Sequence, residues 1–320
     1  IAINEDTFWS GSESRHANPG ARAHLDEARN LVFQRKYREA ADLVEERMLG
    51  TWGQSYQPIG NLQISMVSGD VEISDHLFRR QGVDAQGYSR RLDLQDAVGT
   101  IEYDFRGHHI TQECFVSHPS QLILVRLSSD PACLSFTLSF ESDIRYEVAV
   151  GDKELKVTGR APDHVEPNYS QQKPSILYVP DDQSDSIRFA SVVKVIETDG
   201  EVRGERQRLR VSRATSAVIA IAVRTNYVGY EQPRSKDTVA ILDRCGVDLD
   251  TSATDDYEAL KRSHIEDYKK LYDRVAVEIE PTVAPDLPTT ERMALQAGRL
   301  EDPSLAALAL QYSRYLLISS

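Results

Sequence analysis

Hydrophobic and polar residues alternate between residues 90 and 140, in runs that are separated by short polar breaks. Alternation with a period of two, interrupted by turn residues every few positions, is typical of antiparallel strands. This stretch therefore predicts a meander within a large β-sandwich, around which the rest of the chain is organised. The predicted strands cover residues 92–98, 100–105, 110–116, 122–127 and 134–140.

The same alternation recurs on both sides of this meander. A strand ends at Ile3, and Asp199-Gly200 is a hairpin signal between two later strands. Residues 161–174 are polar and contain prolines, so they predict a long loop. Further strands are predicted at residues 62–67, 71–78, 146–150, 154–158, 176–179, 187–196, 209–212 and 217–225.

A helical hairpin is predicted between the first two strands. Asn18 is the expected N-cap of its first helix, with Pro19 at the first helical position. A second helix is predicted over residues 37–48 and is ended by Gly50. A hairpin inserted into a β domain indicates nothing about chemistry by itself.

Apolar residues recur at helical spacing after Asp250. The pattern predicts a helix over residues 254–272, a short strand over 275–279, a proline-rich linker over 281–288 and a helix over 303–318. The last helix is apolar around most of its circumference, so it is expected to have neighbours on most sides. Because the chain stops inside this helix and opens inside a strand, we expect it to be a piece of a longer polypeptide.

These elements predict a mainly β protein with three parts. Residues 1–252 form a large antiparallel β-sandwich that carries the helical insertion at about residues 19–50. Residues 253–287 form a helical linker, and residues 288–320 begin a further helical domain.

The composition narrows the range of partners. The 320 residues carry a formal net charge of -13, and no window approaches eighteen consecutive apolar residues. Nucleic acids and anionic membranes attract clustered Lys and Arg, so the acidic balance argues against both as partners. The absence of a long apolar window excludes a transmembrane helix. A ligand without charge fits this composition.

Cysteine and histidine residues give no metal signature. Cys114, Cys133 and Cys245 form no CxxC pair, so a zinc site is not expected, whereas a disulfide between Cys114 and Cys133 stays open. His108 and His109 are expected at an exposed hairpin tip, and His118 precedes a proline in a turn. Asn168 opens an Asn-Tyr-Ser sequon, which would be a usable glycosylation acceptor in a secreted protein.

The loop from Asn4 to Gly11 is the segment whose composition suits a sugar. It places an amide, two carboxylates and an indole within eight residues. Asn4 and Glu5 are candidates for hydrogen bonds to hydroxyl groups, and Trp9 is a candidate for stacking on a sugar ring. The competing interpretation is a capping loop whose Trp9 is anchored in the core. The sequence contains no GxSxG, HExxH or phosphate-loop motif.

Several strings occur together and in one order along the whole chain. They are INEDTFWSG at residues 3–11, YREA at 37–40, YQPIGNL at 56–62, YSRRLDL at 88–94, FVSHP at 115–119, GRAPDHV at 159–165 and QYSRYLLISS at 311–320. This combination resembles glycoside hydrolase family 95, the α-L-fucosidases. The chain has Phe8, Asn61 and Ser313 where Leu, Asp and Gly are usual in that family.

The resemblance implies a β-supersandwich, a helical linker and the truncated start of an (α/α)6 catalytic barrel. It implies hydrolysis of terminal α-linked L-fucose with inversion and without a metal or an organic cofactor. The family's catalytic residues belong to the barrel and would lie beyond Ser320. By this resemblance the chain contains no catalytic residue, and Asn4, Glu5 and Trp9 would wall the sugar pocket of a secreted enzyme.

Two other functions remain open from the residues. The chain is either a non-catalytic carbohydrate-binding sandwich or a structural domain that supports its own downstream barrel. Large sandwiches beside catalytic barrels often act through packing, which favours the structural role for the chain taken alone. Under the family resemblance the partner is a fucosylated oligosaccharide or glycan.

Overall fold

The computed structural model describes residues 1–11, 17–50, 53–68, 71–73, 86–130, 134–169, 174–229, 231–232, 234–279, 286–296 and 302–320. The strands are β1 (Ala2–Ile3), β2 (Gly60–Ser68), β3 (Val71–Ile73), β4 (Gln86–Asp93), β5 (Val98–Phe105), β6 (His108–Ser117), β7 (Leu122–Asp130), β8 (Leu134–Glu141), β9 (Arg145–Val150), β10 (Glu154–Arg160), β11 (His164–Val165), β12 (Ile176–Leu177), β13 (Arg188–Thr198), β14 (Glu201–Glu205), β15 (Arg208–Ala214) and β16 (Ser216–Thr225). The helices are α1 (Leu25–Phe33), α2 (Tyr37–Arg47), α3 (Thr238–Thr251), α4 (Tyr257–Tyr272), α5 (Thr289–Leu295) and α6 (Pro303–Ser319).

Two large antiparallel sheets confirm the predicted mainly β sandwich. An eight-stranded sheet runs in the order β4-β5-β6-β7-β16-β13-β10-β9. A six-stranded sheet runs in the order β1-β2-β8-β15-β14, with β3 added beside β2. Strands β5, β6 and β7 confirm three predicted strands of the meander within the larger sheet, whereas its fifth strand, β8, lies in the smaller sheet.

The first core lies between the two sheets. Alternate residues of strands such as β8 and β10 point into it, as the period-two pattern requires. Phe136 and Leu138 of β8 pack in the same cluster as Ile219 and Ile221 of β16, and all four side chains are buried. Burial of a side chain of this size stabilises a fold by about 1.5–3 kcal/mol. This cluster fixes the spacing and register of the sandwich.

The second core lies on the other face of the eight-stranded sheet, where α3 and α4 cover it. Leu124 of β7 and Ala220 of β16 meet Ile241 and Cys245 of α3. Asp237 caps α3 by accepting a hydrogen bond from the Val239 backbone N–H at 2.9 Å. The sequence analysis did not predict α3, because the apolar residues of this helix were included in the end of the β domain.

The predicted strand at residues 92–98 is wrong, because residues 94–97 form the turn between the end of β4 at Asp93 and the start of β5 at Val98. Asp93 Oδ1 accepts hydrogen bonds from the backbone N–H groups of Gln95 (2.8 Å) and Asp96 (3.2 Å). Ala97 has a φ of 52°, which reverses the chain direction. A local side-chain cap therefore overrides the apolar alternation of this short run.

The hairpin predicted at Asp199-Gly200 is also wrong. The strands on its two sides, β13 and β14, lie in different sheets. Asp199 instead accepts hydrogen bonds from the backbone N–H of Thr215 at 2.8 Å and from its hydroxyl at 2.6 Å. The Asp-Gly pair therefore marks the point at which the chain crosses from one sheet to the other.

The helical insertion is confirmed, although its first helix begins later than predicted. Asn18 caps no α-helix, because residues 21–24 form a 3-10 turn and α1 begins at Leu25. The Asn18 side chain instead donates hydrogen bonds to the carbonyl oxygens of Arg47 (2.9 Å) and Leu49 (3.1 Å). Asn18 therefore ties the start of the hairpin to its end.

The segment that follows α4 differs from the sequence prediction. Residues 275–279 do not form a strand in the structure, so the predicted short strand is wrong. Arg314 of α6 donates to the carbonyl oxygens of Tyr272 and Val275, each at 2.7 Å. These bonds hold α6 against the end of α4. The short helix α5 was not predicted.

A few predictions fall on residues that the structure does not describe. The predicted strand at 71–78 is described only at β3, and most of the predicted linker at 281–288 lies outside the described residues. Cys133, the candidate disulfide partner of Cys114, and Ser170 of the sequon also lie outside them.

Among the described helices none is long and apolar enough to cross a membrane.

An ionic cluster attaches α4 to the eight-stranded sheet. Glu113 of β6 accepts hydrogen bonds from Lys261 at 2.7 Å and from Arg126 at 2.5 Å, and the Tyr257 hydroxyl donates to it at 3.2 Å. Burial acts to raise the pKa of Glu113, but Lys261 and Arg126 outweigh it and hold the pKa below its usual value. The helix is therefore fixed to the sheet by charge as well as by apolar contact.

His264 of α4 joins the same interface as a neutral ring. It stacks on Phe115 with ring centroids 4.8 Å apart, and its Nε2–H faces the carbonyl oxygens of Asp96 (3.0 Å) and Ala97 (3.3 Å). Burial lowers the pKa of His264 from 6.5, although the two carbonyls and the Asp267 and Asp96 carboxylates oppose the shift.

His264 is expected to make folding stability depend on pH. The unfolded chain takes up the imidazole proton first, because the folded-state pKa is lowered from 6.5. The stabilisation that neutral His264 gives to the fold is therefore complete above pH 6.5. It is lost as the pH falls from 6.5 toward the lower folded-state pKa of His264. The free energy of unfolding, measured with denaturant between about pH 7.5 and about pH 5.5, should fall less steeply in H264Q than in the wild type. Equal slopes would contradict this assignment.

Candidate functional site

The Asn4–Gly11 loop leaves β1 and is anchored in the core by Phe8. The Phe8 side chain is completely buried and meets Phe189 edge to face, with centroids 5.1 Å apart. Thr7 shares a hydroxyl–hydroxyl hydrogen bond of 2.5 Å with Thr225 at the end of β16. The loop is therefore held against the end of the eight-stranded sheet.

Trp9 is exposed, which corrects the interpretation that it is anchored in the core. Its relative exposure is 45%. Neighbouring side chains of an extended segment point to opposite sides, so the inward position of Phe8 places Trp9 outside. Phe8 performs the anchoring role that the sequence reading gave to Trp9.

Trp9 pairs with a second exposed aromatic residue, Tyr56. The two residues form an antiparallel bridge, and their rings meet edge to face with centroids 5.4 Å apart. Tyr56 is 41% exposed. The Trp9 Nε1–H donates to the Asp6 carbonyl oxygen at 3.1 Å, which fixes the indole on the loop. We call these two side chains the Trp9–Tyr56 platform.

Glu5 is occupied within its own loop. Its Oε2 accepts hydrogen bonds from the Thr7 backbone N–H at 2.8 Å and from the Thr7 hydroxyl at 2.6 Å. Burial raises the pKa of Glu5 despite these two bonds. Burial also raises the pKa of the Tyr56 hydroxyl, with further contributions from the Glu5 and Asp6 carboxylates. Asn4 is exposed beside them.

A series of hydrogen-bonded polar side chains connects the residue after Trp9 to two other segments. Gln54 Oε1 accepts from the Ser10 hydroxyl at 3.0 Å, and Gln54 Nε2 lies 3.0 Å from His164 Nδ1. His164 Nε2 lies 2.8 Å from Glu166 Oε1. With the Gln54 amide as donor, Nδ1 accepts and the Nε2–H donates to Glu166. This series joins three separate loops into one surface.

Arg160 holds the third of these loops in place. Its nearly buried guanidinium donates to Asp163 Oδ2 at 2.8 Å, to the Ser184 hydroxyl at 2.9 Å and to the Val179 carbonyl at 2.5 Å. Burial acts to raise the pKa of Asp163, but hydrogen bonds from Ser184 and Arg160 lower it overall. The GRAPDHV string at residues 159–165 thus has a structural role, which the sequence did not reveal.

The sequence pointed to Asn4, Glu5 and Trp9, and the structure keeps all three on one loop. It adds Tyr56 and the supporting residues Gln54 and His164, which come from two distant segments. Their local sequence does not indicate this role, because long-range contacts bring the segments together. Among these contacts are the pairing of β1 with β2, the Trp9–Tyr56 bridge and the backbone bond from Gly11 N–H to the Pro162 carbonyl (2.8 Å).

The surface offers binding chemistry. An exposed indole, a phenol ring and an amide suit a polar ligand that also has an apolar face. The described residues contain no group of three or more His, Cys, Asp or Glu side chains that could hold a metal ion. His109 lies at the β5–β6 hairpin and contacts Asp104 at 2.9 Å, well apart in the chain from this surface.

Two family models match the chain. The model described as the N-terminal domain of glycosyl hydrolase family 65 matches residues 1–230. The chain belongs to the family defined by this N-terminal domain. The model of the glycosyl hydrolase family 95 catalytic domain matches residues 256–320. The resemblance to family 95 is therefore confirmed, and the Trp9–Tyr56 platform lies within residues 1–230.

Two curated relatives extend over the whole chain. Alpha-L-fucosidase 2 of Arabidopsis thaliana is 29% identical over 331 aligned residues, and probable alpha-fucosidase A of Aspergillus niger is 24% identical over 339. The chain spans 38% of the length of each of them.

One solved structure, provisionally named as a kojibiose phosphorylase from the human microbiome, shares a TM-score of 0.45 at 9% identity. The aligned part covers 68% of this chain and 29% of the other. This similarity is too low to support an argument about fold or function.

Gly11 is expected to be essential for the geometry of the site. Its φ is +85°, and an added Cβ would overlap the Gln54 side chain. Gly107 is a matched control, because its φ is +81° but nothing lies within 4 Å of an added Cβ. Gly107→Ala is expected to cost about 1–2 kcal/mol for the left-handed backbone. Gly11→Ala should cost at least about 1 kcal/mol more through overpacking. Denaturant unfolding measures both, and equal costs would show that Gln54 does not pack on Gly11.

Proposed function

We propose that the chain is the amino-terminal part of an inverting α-L-fucosidase that releases terminal α-linked L-fucose from glycans. The observation that carries the proposal is the similarity of the whole chain to two fucosidases, together with the family 95 catalytic model at residues 256–320. The 38% coverage of both relatives supports a longer protein with a catalytic region downstream.

The proposed division of the chain follows from the same similarity. Residues 1–252 are the β-sandwich domain with its helical insertion at about 19–50, residues 253–287 are a helical linker, and residues 288–320 begin an (α/α)6 barrel. The exposed apolar side chains of α6 support this division, because Leu316 and Leu317 lack cover within the described part of the chain. The downstream barrel is the proposed partner of this face.

The proposed chemistry needs two groups that the barrel would supply. In an inverting glycosidase one carboxylic acid protonates the leaving oxygen, and a second group activates water on the opposite face of the sugar. Both are placed beyond Ser320. In this chain Asn4, Glu5 and Trp9 are the proposed substrate-binding residues. The exposure of Asn4 and Trp9 supports their part, whereas Glu5 acts mainly by shaping the loop through Thr7.

We further propose that the enzyme is secreted and acts on fucosylated oligosaccharides or glycans. The Asn168 sequon supports an extracellular setting, and the net charge of -13 suits a neutral glycan better than a polyanion. The second candidate is a non-catalytic carbohydrate-binding sandwich, which the exposed Trp9–Tyr56 platform favours over a purely structural domain.

Fucose release is the direct test. A full-length protein that contains this chain should hydrolyse α-L-fucosyl fluoride and at least one fucosyllactose. Proton NMR during the reaction should show the β anomer of fucose first, because the mechanism inverts. Residues 1–320 expressed alone should release no fucose. A full-length protein that cleaves none of these substrates, or that releases the α anomer first, would contradict the proposal.

A further inference from the structure

We infer that the Trp9–Tyr56 platform binds the sugar from which fucose is removed, that is, the neutral hexose on the leaving-group side of the scissile bond. The inference rests on the proposed function, and it adds to that function a second aromatic residue, Tyr56, and a position along the substrate.

The platform has the surface that a hexose ring requires. Both rings are exposed, they are adjacent, and they meet edge to face at 5.4 Å. A pyranose presents apolar C–H groups on one face and hydroxyls at its rim, so it packs on an aromatic ring while its hydroxyls stay hydrogen-bonded. The exposed Asn4 amide lies on the same loop and can donate to and accept from such hydroxyls.

Contacts within the chain hold the platform in place without a ligand. The Asp6 carbonyl holds the indole, the Trp9–Tyr56 backbone bridge fixes the two segments, and Gln54 supports them through Ser10. A preformed surface loses little conformational entropy when it binds a ligand. These fixed contacts distinguish the platform from isolated exposed aromatics such as Tyr37 of α2, which is 63% exposed.

The charges around the platform favour a neutral sugar. Glu5 and Asp6 are close enough to the Tyr56 hydroxyl to raise its pKa, together with burial. Carboxylates next to a binding surface repel an anionic glycan. A neutral hexose such as galactose is therefore the expected ligand, in preference to a uronic acid or a sulfated sugar.

We assign the platform to the leaving-group side because it lies in the N-terminal domain, whereas the proposed catalytic groups lie in the catalytic region. The groups that cleave the bond are placed in the catalytic region, which must enclose the fucose ring. Residues 1–230 match a separate N-terminal domain and carry the platform. A surface outside the catalytic region contributes most by binding the remote part of the substrate, and such binding energy raises kcat/KM only for substrates that have that part.

Two substrates separate the inference from the proposed function. Fucosyllactose has a hexose on the leaving-group side, whereas α-L-fucosyl fluoride has none. In the full-length protein, Trp9→Ala and Tyr56→Ala should each lower kcat/KM on fucosyllactose about tenfold more than on the fluoride. Tyr37→Ala, which removes an exposed aromatic residue outside the platform, should leave the ratio of the two values as in the wild type. Circular dichroism and denaturant unfolding check that each variant is folded.

The outcomes are distinguishable. If the wild-type protein hydrolyses neither substrate, both the proposed function and the inference are wrong. Equal losses on both substrates in Trp9→Ala and Tyr56→Ala would place the platform at the fucose ring, and no loss on either would make it a structural contact. Both of these results overturn the inference while leaving the fucosidase proposal intact. A selective loss on fucosyllactose, restored in part by Trp9→Phe, supports it.

Discussion

Burial of the eight-stranded sheet on both faces is the constraint on which the rest of the structure depends. In β13, Phe189 and Val193 enter the core between the sheets, while Ala190 and Val192 enter the core beneath α3 and α4. A sheet with two buried faces needs a layer on each side. The six-stranded sheet covers one face, and α3 and α4 cover the other, so both helices are needed to bury the larger sheet.

Strands such as β10 and β15 were predicted correctly because buried residues alternate in them with more exposed ones, which keeps the period of two visible in the sequence. It failed where another interaction outweighed that pattern. Residues 92–98 alternate, but the Asp93 side chain caps a turn inside them. Residues 275–279 are rich in β-branched residues, yet Arg314 binds the Val275 carbonyl, and these residues do not enter a sheet. Local side-chain bonds decide such short segments, and their partners are distant in the sequence.

The sequence predicted only those residues of the candidate site that lie together in one loop. Asn4, Glu5 and Trp9 drew attention because their composition is concentrated in one loop. Tyr56, Gln54 and His164 were not assigned to it, because they belong to two other segments that the strand pairing brings to the same place. The direction of Trp9 was also hidden, since the sequence shows two adjacent aromatic residues and does not show that Phe8 is the one that fills the core.

Hydrogen bonds within the Asn4–Gly11 loop limit which of its groups can bind a ligand. The chain has 50 acidic residues, so carboxylates near a sugar surface carry little information by themselves. Glu5 is bonded twice to Thr7, which in turn bonds Thr225, so moving this carboxylate toward a substrate would break the anchor of the loop. The Asp6 carbonyl is likewise occupied by the indole N–H. What remains available is the flat, uncharged surface of Trp9 and Tyr56 beside the Asn4 amide. Such a surface can hold a sugar in place, whereas the proton transfers of glycoside hydrolysis need carboxyl groups free to face the scissile bond.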